Sequence, residues 1–323
     1  MSDAERDFFR TADPAGFILF QRNCIEPVQV AALVADLKSL SGRSDTPVLI
    51  DQEGGRVQRL KPPHWRAAPA PARIGALSVE KAERAAWINA RLIAAELTAL
   101  GITVNCAPVL DLPAPAAHEV IGDRAIGTRP AEVVRLGRAV IRGLEAGGVL
   151  PVIKHLPGHG RALVDSHTHC PVVGAAAAEL AASDLLPFQA LADSPFAMTA
   201  HVVYTCWEGS LPATLSARVI GDIIRGRIGF EGVLLSDDLG MRALGGSPEE
   251  RALGALAAGC DLALHCNGNL AEMAQIAAAV GTLSETAALS LDRALARRRA
   301  PDQADTPALL EELAALVAEK GTA

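Results

Sequence analysis

The residues of this chain best suited to chemistry are concentrated in residues 154–169, which read KHLPGHGRALVDSHTH. The segment holds four of the chain's eight histidines together with a lysine and an aspartate. It follows an apolar run at residues 148–153, which we predict to be a buried strand. Titratable side chains directly after such a strand are typical of an active-site loop on an α/β scaffold.

Within this segment, Asp165 stands two residues before His167. In a loop, the carboxylate can fold back and hydrogen-bond the imidazole, which raises the basicity of the histidine and fixes its tautomer. Such a pair suits proton transfer near neutral pH, because a free histidine titrates at about 6.5. A turn-capping aspartate beside a solvent-exposed histidine is the alternative interpretation.

The histidines of the segment could instead bind a metal ion. His155, His159, His167 and His169 together with an aspartate offer the donor types of a metal-dependent amidohydrolase. However, a Pro-Gly pair separates His155 from His159, so these two cannot share one helical face. The sequence therefore favours a site without a metal ion, and we expect no cofactor.

A second candidate is Asp237, the first of two adjacent aspartates that follow an apolar run at residues 232–236. Adjacent side chains on an extended segment point to opposite sides. Only one of the two can face a binding site, and we expect the other to bind the backbone or an arginine. The carboxylate that faces the site is a candidate nucleophile, and a helix N-cap is the alternative role.

Further polar side chains end predicted strands or lie in loops, and they offer donors and acceptors suited to a hydroxyl-rich ligand such as one sugar ring. An ion-pair network with a structural role is the alternative. These residues are Asp51, Arg59, Arg124, Lys154 and His155.

Short apolar runs alternate with longer helical patterns along the chain, which predicts βα units and a parallel sheet. Seven runs are predicted strands, at residues 16–20, 47–50, 102–110, 148–153, 196–200, 232–236 and 261–265, with residues 213–216 as a weak eighth. Predicted helices include residues 78–100, with Ser78 as N-cap, and residues 175–191, interrupted near Pro187. Polar residues end nearly every strand, which favours a single (β/α)8 TIM-like barrel with its active site at the C-terminal ends of the strands.

The composition of the 323-residue chain narrows the class of protein. A net charge of −7 without a basic tract argues against nucleic acid as a partner. The charged start lacks the apolar core of a signal peptide, and no apolar run reaches about 18 residues, so we expect no membrane span. The six scattered cysteines include no CxxC pair and indicate reduced thiols in a cytoplasmic protein. There is no GxGxxG fingerprint and no P-loop motif.

We expect residues 1–300 to form the catalytic barrel domain and residues 301–323 to form a peripheral helix docked on its outside. A dimer contact is the alternative role of that helix. We therefore expect a monomer, with a dimer as the alternative. The expected partner is a small sugar substrate, as the polar strand-end residues indicate.

Seven motifs occur in order along the chain: DQEGGRVQR at 51–59, APVLD at 107–111, IGDR at 121–124, KHLPGHG at 154–160, DSH at 165–167, TAH at 199–201 and SDDL at 236–239. Together they resemble glycoside hydrolase family 3, and more narrowly its single-domain bacterial β-N-acetylhexosaminidases of peptidoglycan recycling. The resemblance runs from about residue 16 to residue 267.

This resemblance implies a metal-free (β/α)8 barrel in the cytosol that releases N-acetylglucosamine from 1,6-anhydro-muramyl peptides or related muropeptides. It implies that Asp237 is the nucleophile and that Asp165 and His167 form the acid/base dyad of a retaining mechanism. It assigns the binding of the terminal N-acetylglucosamine to Asp51, Arg59, Arg124, Lys154 and His155.

The chain departs from the family pattern at three positions. Leu156 stands where the family usually has phenylalanine, Arg161 where it often has aspartate, and Gly240 where serine is commoner. Because of Arg161, it remains open how residues 154–169, the histidine loop, are tethered to the rest of the protein. The rival hypotheses are a phosphorylase on the same scaffold, a metal-dependent hydrolase and a sugar-binding protein without activity.

Overall fold

The computed structural model describes residues 1–115, 117–166 and 168–318. The strands are β1 (Phe17–Leu19), β2 (Val48–Ile50), β3 (Val104–Asn105), β4 (Leu150–Leu156), β5 (Val172–Val173), β6 (Phe196–Thr199), β7 (Val203–Tyr204) and β8 (Val233–Leu235). The helices are α1 (Asp3–Ala12), α2 (Pro27–Ser41), α3 (Pro71–Gly75), α4 (Val79–Ala99), α5 (Pro130–Ala146), α6 (Ala177–Ala182), α7 (Leu185–Ala190), α8 (Pro248–Ala258), α9 (Leu270–Val280), α10 (Glu285–Leu295) and α11 (Thr306–Ala318). A π-helical segment spans Val219–Ile228.

The centre of the fold is a curled, six-stranded parallel sheet in the order β1-β2-β3-β4-β6-β8. Every residue of β2, β4, β6 and β8 is buried, as expected for parallel strands that are covered on both faces. A separate pair of short parallel strands, β5 and β7, was not predicted from the sequence. The molecule is therefore a mixed α/β protein, and the predicted parallel sheet is confirmed.

The described residues do not show the full set of eight barrel strands. The predicted strand at residues 261–265 makes a single parallel bridge, from Leu262 to Leu235. Backbone bonds join it to β8, including Asp261 N to Leu234 O at 2.8 Å and Ser236 N to Leu262 O at 3.0 Å. Side chains add to them: Asp261 Oδ2 accepts from Leu234 N at 2.7 Å, and Ser236 Oγ accepts from Leu264 N at 2.8 Å.

The weak eighth candidate, residues 213–216, is wrong. Its residues form a 3-10 turn, Ala213–Leu215. The Thr214 hydroxyl is bound to the side chains of Thr199 and His201, at 2.8 and 2.7 Å. These contacts tie the turn to the end of β6 instead of to a neighbouring strand.

The helix predicted for residues 175–191 is interrupted close to Pro187, as predicted. It breaks at Ser183 and Asp184, between α6 and α7, where a proline four residues after Ser183 has no N–H to bond the Ser183 carbonyl oxygen. Pro187 is the third residue of α7, where a missing N–H is tolerated because the first turn has no carbonyl to receive it. Asp184 is buried at the break, where it binds a side chain of the histidine loop.

The longest helix matches its prediction closely, since residues 78–100 were expected and α4 spans Val79–Ala99. Ser78 is the N-cap residue, but its side chain makes no capping hydrogen bond. The C-terminal helix α11 packs on α4 through the buried side chains of Leu309 and Leu313. Arg84 of α4 also binds both carboxylate oxygens of Glu312, at 2.7 and 2.6 Å. Within the described ranges, no helix is long and apolar enough to cross a membrane.

Candidate active site

The predicted site residues lie where parallel strands end. Asp51 directly follows β2, Lys154 and His155 belong to the end of β4, and Asp237 follows β8 by two residues. The C-terminal ends of parallel strands meet at one edge of the sheet, so the topology brings these side chains to the same edge.

Lys154 is the centre of a buried charge cluster, and its side chain is 2% exposed. Its Nζ lies 2.9 Å from Asp51 Oδ1 and 2.7 Å from Glu53 Oε1. Arg59 Nη2 donates to Asp51 Oδ2 at 2.9 Å. Arg124 donates to both oxygens of Glu53, at 2.9 and 2.8 Å. Four of the five predicted sugar-binding residues are therefore in one network, joined by a glutamate that was not predicted to belong to the site.

The charges in this cluster hold both carboxylates ionised. Burial alone would raise the pKa of Glu53, but the charges of Arg124 and Lys154 outweigh it and lower the pKa to about 2. Burial likewise opposes ionisation of Asp51, whose pKa the charges of Lys154 and Arg59 hold well below its usual range. The pKa of Lys154 is raised above its ordinary value, because the Asp51 and Glu53 charges exceed the opposing effect of burial.

His155, the fifth predicted sugar-binding residue, is oriented by Asp111. Its Nδ1 lies 2.7 Å from Asp111 Oδ2, which directs the other ring nitrogen away from that carboxylate. Asp111 Oδ1 also accepts from the backbone N of His155 at 3.2 Å and of His159 at 2.6 Å. Burial raises the pKa of Asp111, but the interaction with His155 lowers it by more. The pKa of Asp111 is therefore below its ordinary value. The sequence marked Asp111 as a strand-end polar residue and gave no signal of this orienting role.

The two adjacent aspartates point to different partners, as expected for neighbours on an extended segment. Asp238 Oδ1 accepts backbone N–H groups from Gly240 at 2.9 Å and from Cys266 at 3.0 Å. Asp237 is partly exposed, and its Oδ1 accepts from Asp238 N at 2.7 Å. Burial would raise the pKa of Asp237, but the nearby imidazoles of His201 and His155, the Asp238 N–H group and the Lys154 charge lower it, so the carboxylate is ionised.

His201 binds the backbone of Asp238. Its Nε2 donates to the Asp238 carbonyl oxygen at 2.9 Å, and its Nδ1 lies 2.7 Å from Thr214 Oγ1. It is fully buried, and burial lowers its pKa, so the ring is neutral at pH 7. In the sequence, this residue was marked by its place at a predicted strand end and by the TAH motif at 199–201, and neither showed this contact.

The histidine loop is held at its start by Arg161. Its Nε donates to Asp184 at 3.1 and 2.9 Å, its Nη2 donates to Ser183 Oγ at 3.2 Å, and its Nη1 donates to Glu179. The question raised by this departure from the family pattern is thus answered, since Arg161 tethers the loop to the junction of α6 and α7.

The predicted acid/base pair is only half within the described residues. Asp165 is partly buried, and its carbonyl oxygen accepts from the backbone N of Thr168 at 3.0 Å and of His169 at 2.9 Å. His167 lies outside the described residues. Among the remaining residues, no group of three or more His, Cys, Asp or Glu side chains forms a metal site.

The charge cluster predicts the stability of a variant. We expect Lys154→Met to lower the free energy of unfolding by about 3 kcal/mol, because it removes a shared partner from two buried carboxylates. Urea unfolding followed by circular dichroism measures this loss. Lys61→Met, at an exposed lysine, is the matched control and should change stability by no more than about 0.5 kcal/mol. Equal stabilities of the two variants would contradict the assignment.

The buried histidines and carboxylates predict a loss of stability in acid. The pKa of His159 is lowered to about 4, chiefly by burial, and that of Glu53 to about 2. The unfolded chain takes up protons at these groups below about pH 6.5 and about pH 4.5, respectively, whereas the folded protein takes them up only at lower pH. Stability should therefore fall as the pH falls, first between about 6.5 and 4 and then towards 2. Urea unfolding at pH 7.5, 6.5, 5.5 and 4.5 measures it, and a flat profile would refute this account.

Comparison with known proteins identifies the family. The sequence model described as the glycosyl hydrolase family 3 N-terminal domain matches residues 1–298. A β-hexosaminidase of Alkalilimnicola ehrlichii is 41% identical over 274 residues, which cover 83% of this chain and 78% of that protein. A β-hexosaminidase of Pseudomonas aeruginosa is 38% identical over 318 residues, which cover 97% of this chain and 93% of that protein.

Solved structures agree with the sequence relatives. NagZ from Neisseria gonorrhoeae in complex with N-trifluoroacetyl-D-glucosamine has a TM-score of 0.87 at 32% identity, covering 99% of this chain and 95% of that chain. A family 3 β-N-acetylglucosaminidase from Paenibacillus has a TM-score of 0.80 at 35% identity. The match covers 100% of this chain and 61% of the Paenibacillus chain, so this chain spans less than two thirds of that protein. The resemblance inferred from the motifs is confirmed, and the chain belongs to glycosyl hydrolase family 3.

Proposed function

We propose that this protein is a retaining exo-β-N-acetylglucosaminidase, a β-N-acetylhexosaminidase that removes terminal N-acetylglucosamine from muropeptides. The observation that carries the proposal is the position of the ionised Asp237 at the same sheet edge as a buried cluster of charged donors and acceptors. Relatives named β-hexosaminidase and the NagZ structure with a bound glucosamine derivative support the same substrate class.

The charge cluster supports binding of a single terminal sugar. Asp51 offers carboxylate oxygens to sugar hydroxyl groups, and Lys154 and Arg59 hold that carboxylate in place. His155 is fixed by Asp111 through Nδ1, so its Nε2 is the nitrogen available to a ligand. Arg124 donates to Glu53 through Nε and Nη2 and to the Val120 carbonyl oxygen through Nη1, so it holds Glu53 in the cluster.

The chemistry follows from these positions. One carboxylate oxygen of Asp237 attacks the anomeric carbon as the bond to the leaving oxygen breaks, and protonated His167 gives its proton to that oxygen. A glycosyl ester of Asp237 forms. Neutral His167 then takes a proton from a water molecule, which attacks the same carbon, releases Asp237 and retains the β configuration. Asp165 keeps the imidazole basic and oriented throughout.

We also propose that the sheet closes into a barrel. Leu262 and Leu264 pack with Ile18 of β1 around the same apolar cluster, which supports closure of the sheet into a (β/α)8 barrel by residues 261–265. We assign residues 1–300 to the catalytic domain and residues 301–323 to a C-terminal segment, whose described part contains the peripheral helix α11. The protein acts as a monomer, without metal or cofactor. Its six free cysteines support a cytoplasmic location.

Product analysis tests the reaction type. We expect a GlcNAc-1,6-anhydroMurNAc-peptide to give free N-acetylglucosamine in the β configuration at first, seen by proton NMR before mutarotation. The rate should be the same with or without phosphate and after treatment with a chelator. If phosphate accelerated the reaction and N-acetylglucosamine 1-phosphate were the main product, the hydrolase would be replaced by a phosphorylase.

A further inference from the structure

Several contacts besides the Arg161 tether anchor the described part of the histidine loop, among them Tyr204 Oη, which donates to the Gly158 carbonyl oxygen at 2.7 Å. Near the end of the loop, Ser166 Oγ lies 3.0 Å from Nε2 of His159. The Arg161 tether lies at the start of the loop, whereas this contact involves the residue directly before His167. Of these contacts, it is the one nearest in sequence to the proposed proton donor.

Both members of this contact are buried and firmly placed. His159 is 2% exposed and Ser166 is 3% exposed. The backbone N of His159 donates to Asp111 Oδ1 at 2.6 Å, which ties it to the carboxylate that orients the sugar-binding histidine. Gly160, the next residue, lies so close to Leu112 that a Cβ atom would come within 2.0 Å of its carbonyl oxygen. His159 is thus the firmly placed member of this contact, and it holds Ser166, which lies later in the same loop.

The protonation state of His159 sets the direction of the hydrogen bond. Burial and the nearby His155, whose ring centroid is 5.7 Å away, lower its pKa to about 4, against weaker opposing effects of Asp111 and Asp237. The ring is therefore neutral at pH 7. Its Nδ1 is buried without a hydrogen-bond partner. An unbonded lone pair is tolerated better than an unbonded N–H group, so the proton lies on Nε2, which donates to Ser166 Oγ.

We propose that His159 is a positioning residue for the acid/base step: by holding Ser166 it fixes where the chain enters His167, and so where the proton is delivered. Consecutive Cα atoms are only about 3.8 Å apart, so a constraint on Ser166 acts on the next residue through a single peptide unit. The inference rests on the proposed function, because it takes His167 to be the group that transfers the proton.

Ser166→Ala tests the proposal, since it removes the acceptor and leaves both catalytic positions in place. The rates are measured on a series of aryl β-N-acetylglucosaminides whose leaving groups range from good to poor, together with the natural disaccharide. We expect kcat/KM to fall by about 10- to 100-fold on the poorest leaving groups, where a misplaced proton donor matters most. On the best leaving groups it should fall by no more than about threefold, with KM little changed.

Three variants control the experiment. Ser166→Thr keeps a hydroxyl group and should restore most of the lost rate. Leu163→Ala shortens a side chain of the same loop that is 61% exposed, and it should leave the dependence on the leaving group unchanged. His159→Gln keeps an N–H donor and should lose less than His159→Leu. His159→Leu combined with Ser166→Ala should lose no more than either alone, because both remove one contact.

The outcomes separate this inference from the proposed function. His167→Ala is measured in the same series. If it steepens the dependence on the leaving group and Ser166→Ala does not, the positioning role of His159 is wrong while the acid/base role stands. If neither variant steepens it, both are wrong. An equal loss on all substrates in Ser166→Ala would also overturn the positioning role, since that is the effect of general damage to the site.

Discussion

Asp237→Ala is expected to lower kcat on aryl β-N-acetylglucosaminides by about 10⁴-fold or more, the size of effect seen when a covalent nucleophile is removed. The reason is that the neighbouring carboxylates at this sheet edge already have partners. Asp238 Oδ1 accepts from two backbone N–H groups, and the two oxygens of Asp51 are bound by Lys154 and Arg59. The loss is measured with an activated aryl substrate, and circular dichroism and urea unfolding show that the fold is kept.

Azide sharpens this prediction. In Asp237→Ala the small anion can enter the space left by the carboxylate and attack the anomeric carbon directly. The product would be the α-configured glycosyl azide, because a single displacement inverts the centre. Recovery of rate with this product supports the nucleophile. Turnover close to that of the unmodified protein without azide would show that another group attacks the sugar.

His167→Ala is expected to lower kcat/KM by about 10²- to 10⁴-fold on the natural disaccharide, which has a poor leaving group. On an aryl substrate with a very good leaving group, formation of the glycosyl ester should be almost unaffected, because protonation helps least there. The measurement compares kcat/KM for the two substrate types. Asp165→Asn should change the same ratio in the same direction but less strongly. Equal losses on both substrates would contradict the acid/base role.

Local sequence patterns were sufficient to predict the features that depend on one short stretch of the chain. The apolar run before residue 154 gave β4, and the periodicity of residues 78–100 gave α4 to within one residue at each end. Alternation on an extended segment also explained why Asp237 and Asp238 have different partners. In each of these, the information lies within about 20 residues of sequence.

The features that were missed depend on contacts between distant segments. Glu53 meets Arg124 from 71 residues away, and Asp111 meets His155 from 44 residues away. No local pattern marks either pair, because each exists only once the strand ends have met. At residues 261–265, likewise, the sequence did not show that the side chains of Asp261 and Ser236 add hydrogen bonds to the backbone bonds that join the segment to β8.

The break in the predicted helix at residues 175–191 follows from a local signal. Pro187 has no N–H to bond the carbonyl oxygen of Ser183, four residues earlier, and the chain breaks at Ser183 and Asp184. The proline then lies in the first turn of α7, where its missing N–H is tolerated. The sequence did not show that Asp184, which is 2% exposed, receives Arg161 from the histidine loop at this break.

The central claim is that the sugar is transferred to the carboxylate of Asp237, and trapping the intermediate tests it most directly. A slow fluorinated N-acetylglucosaminyl substrate would be incubated with the protein, which is then digested and analysed by tandem mass spectrometry. The account predicts one sugar per chain, attached as an ester to the Asp237 side chain, with no label in Asp237→Ala. A sugar ester on any other residue, with Asp237 unlabelled, would contradict it.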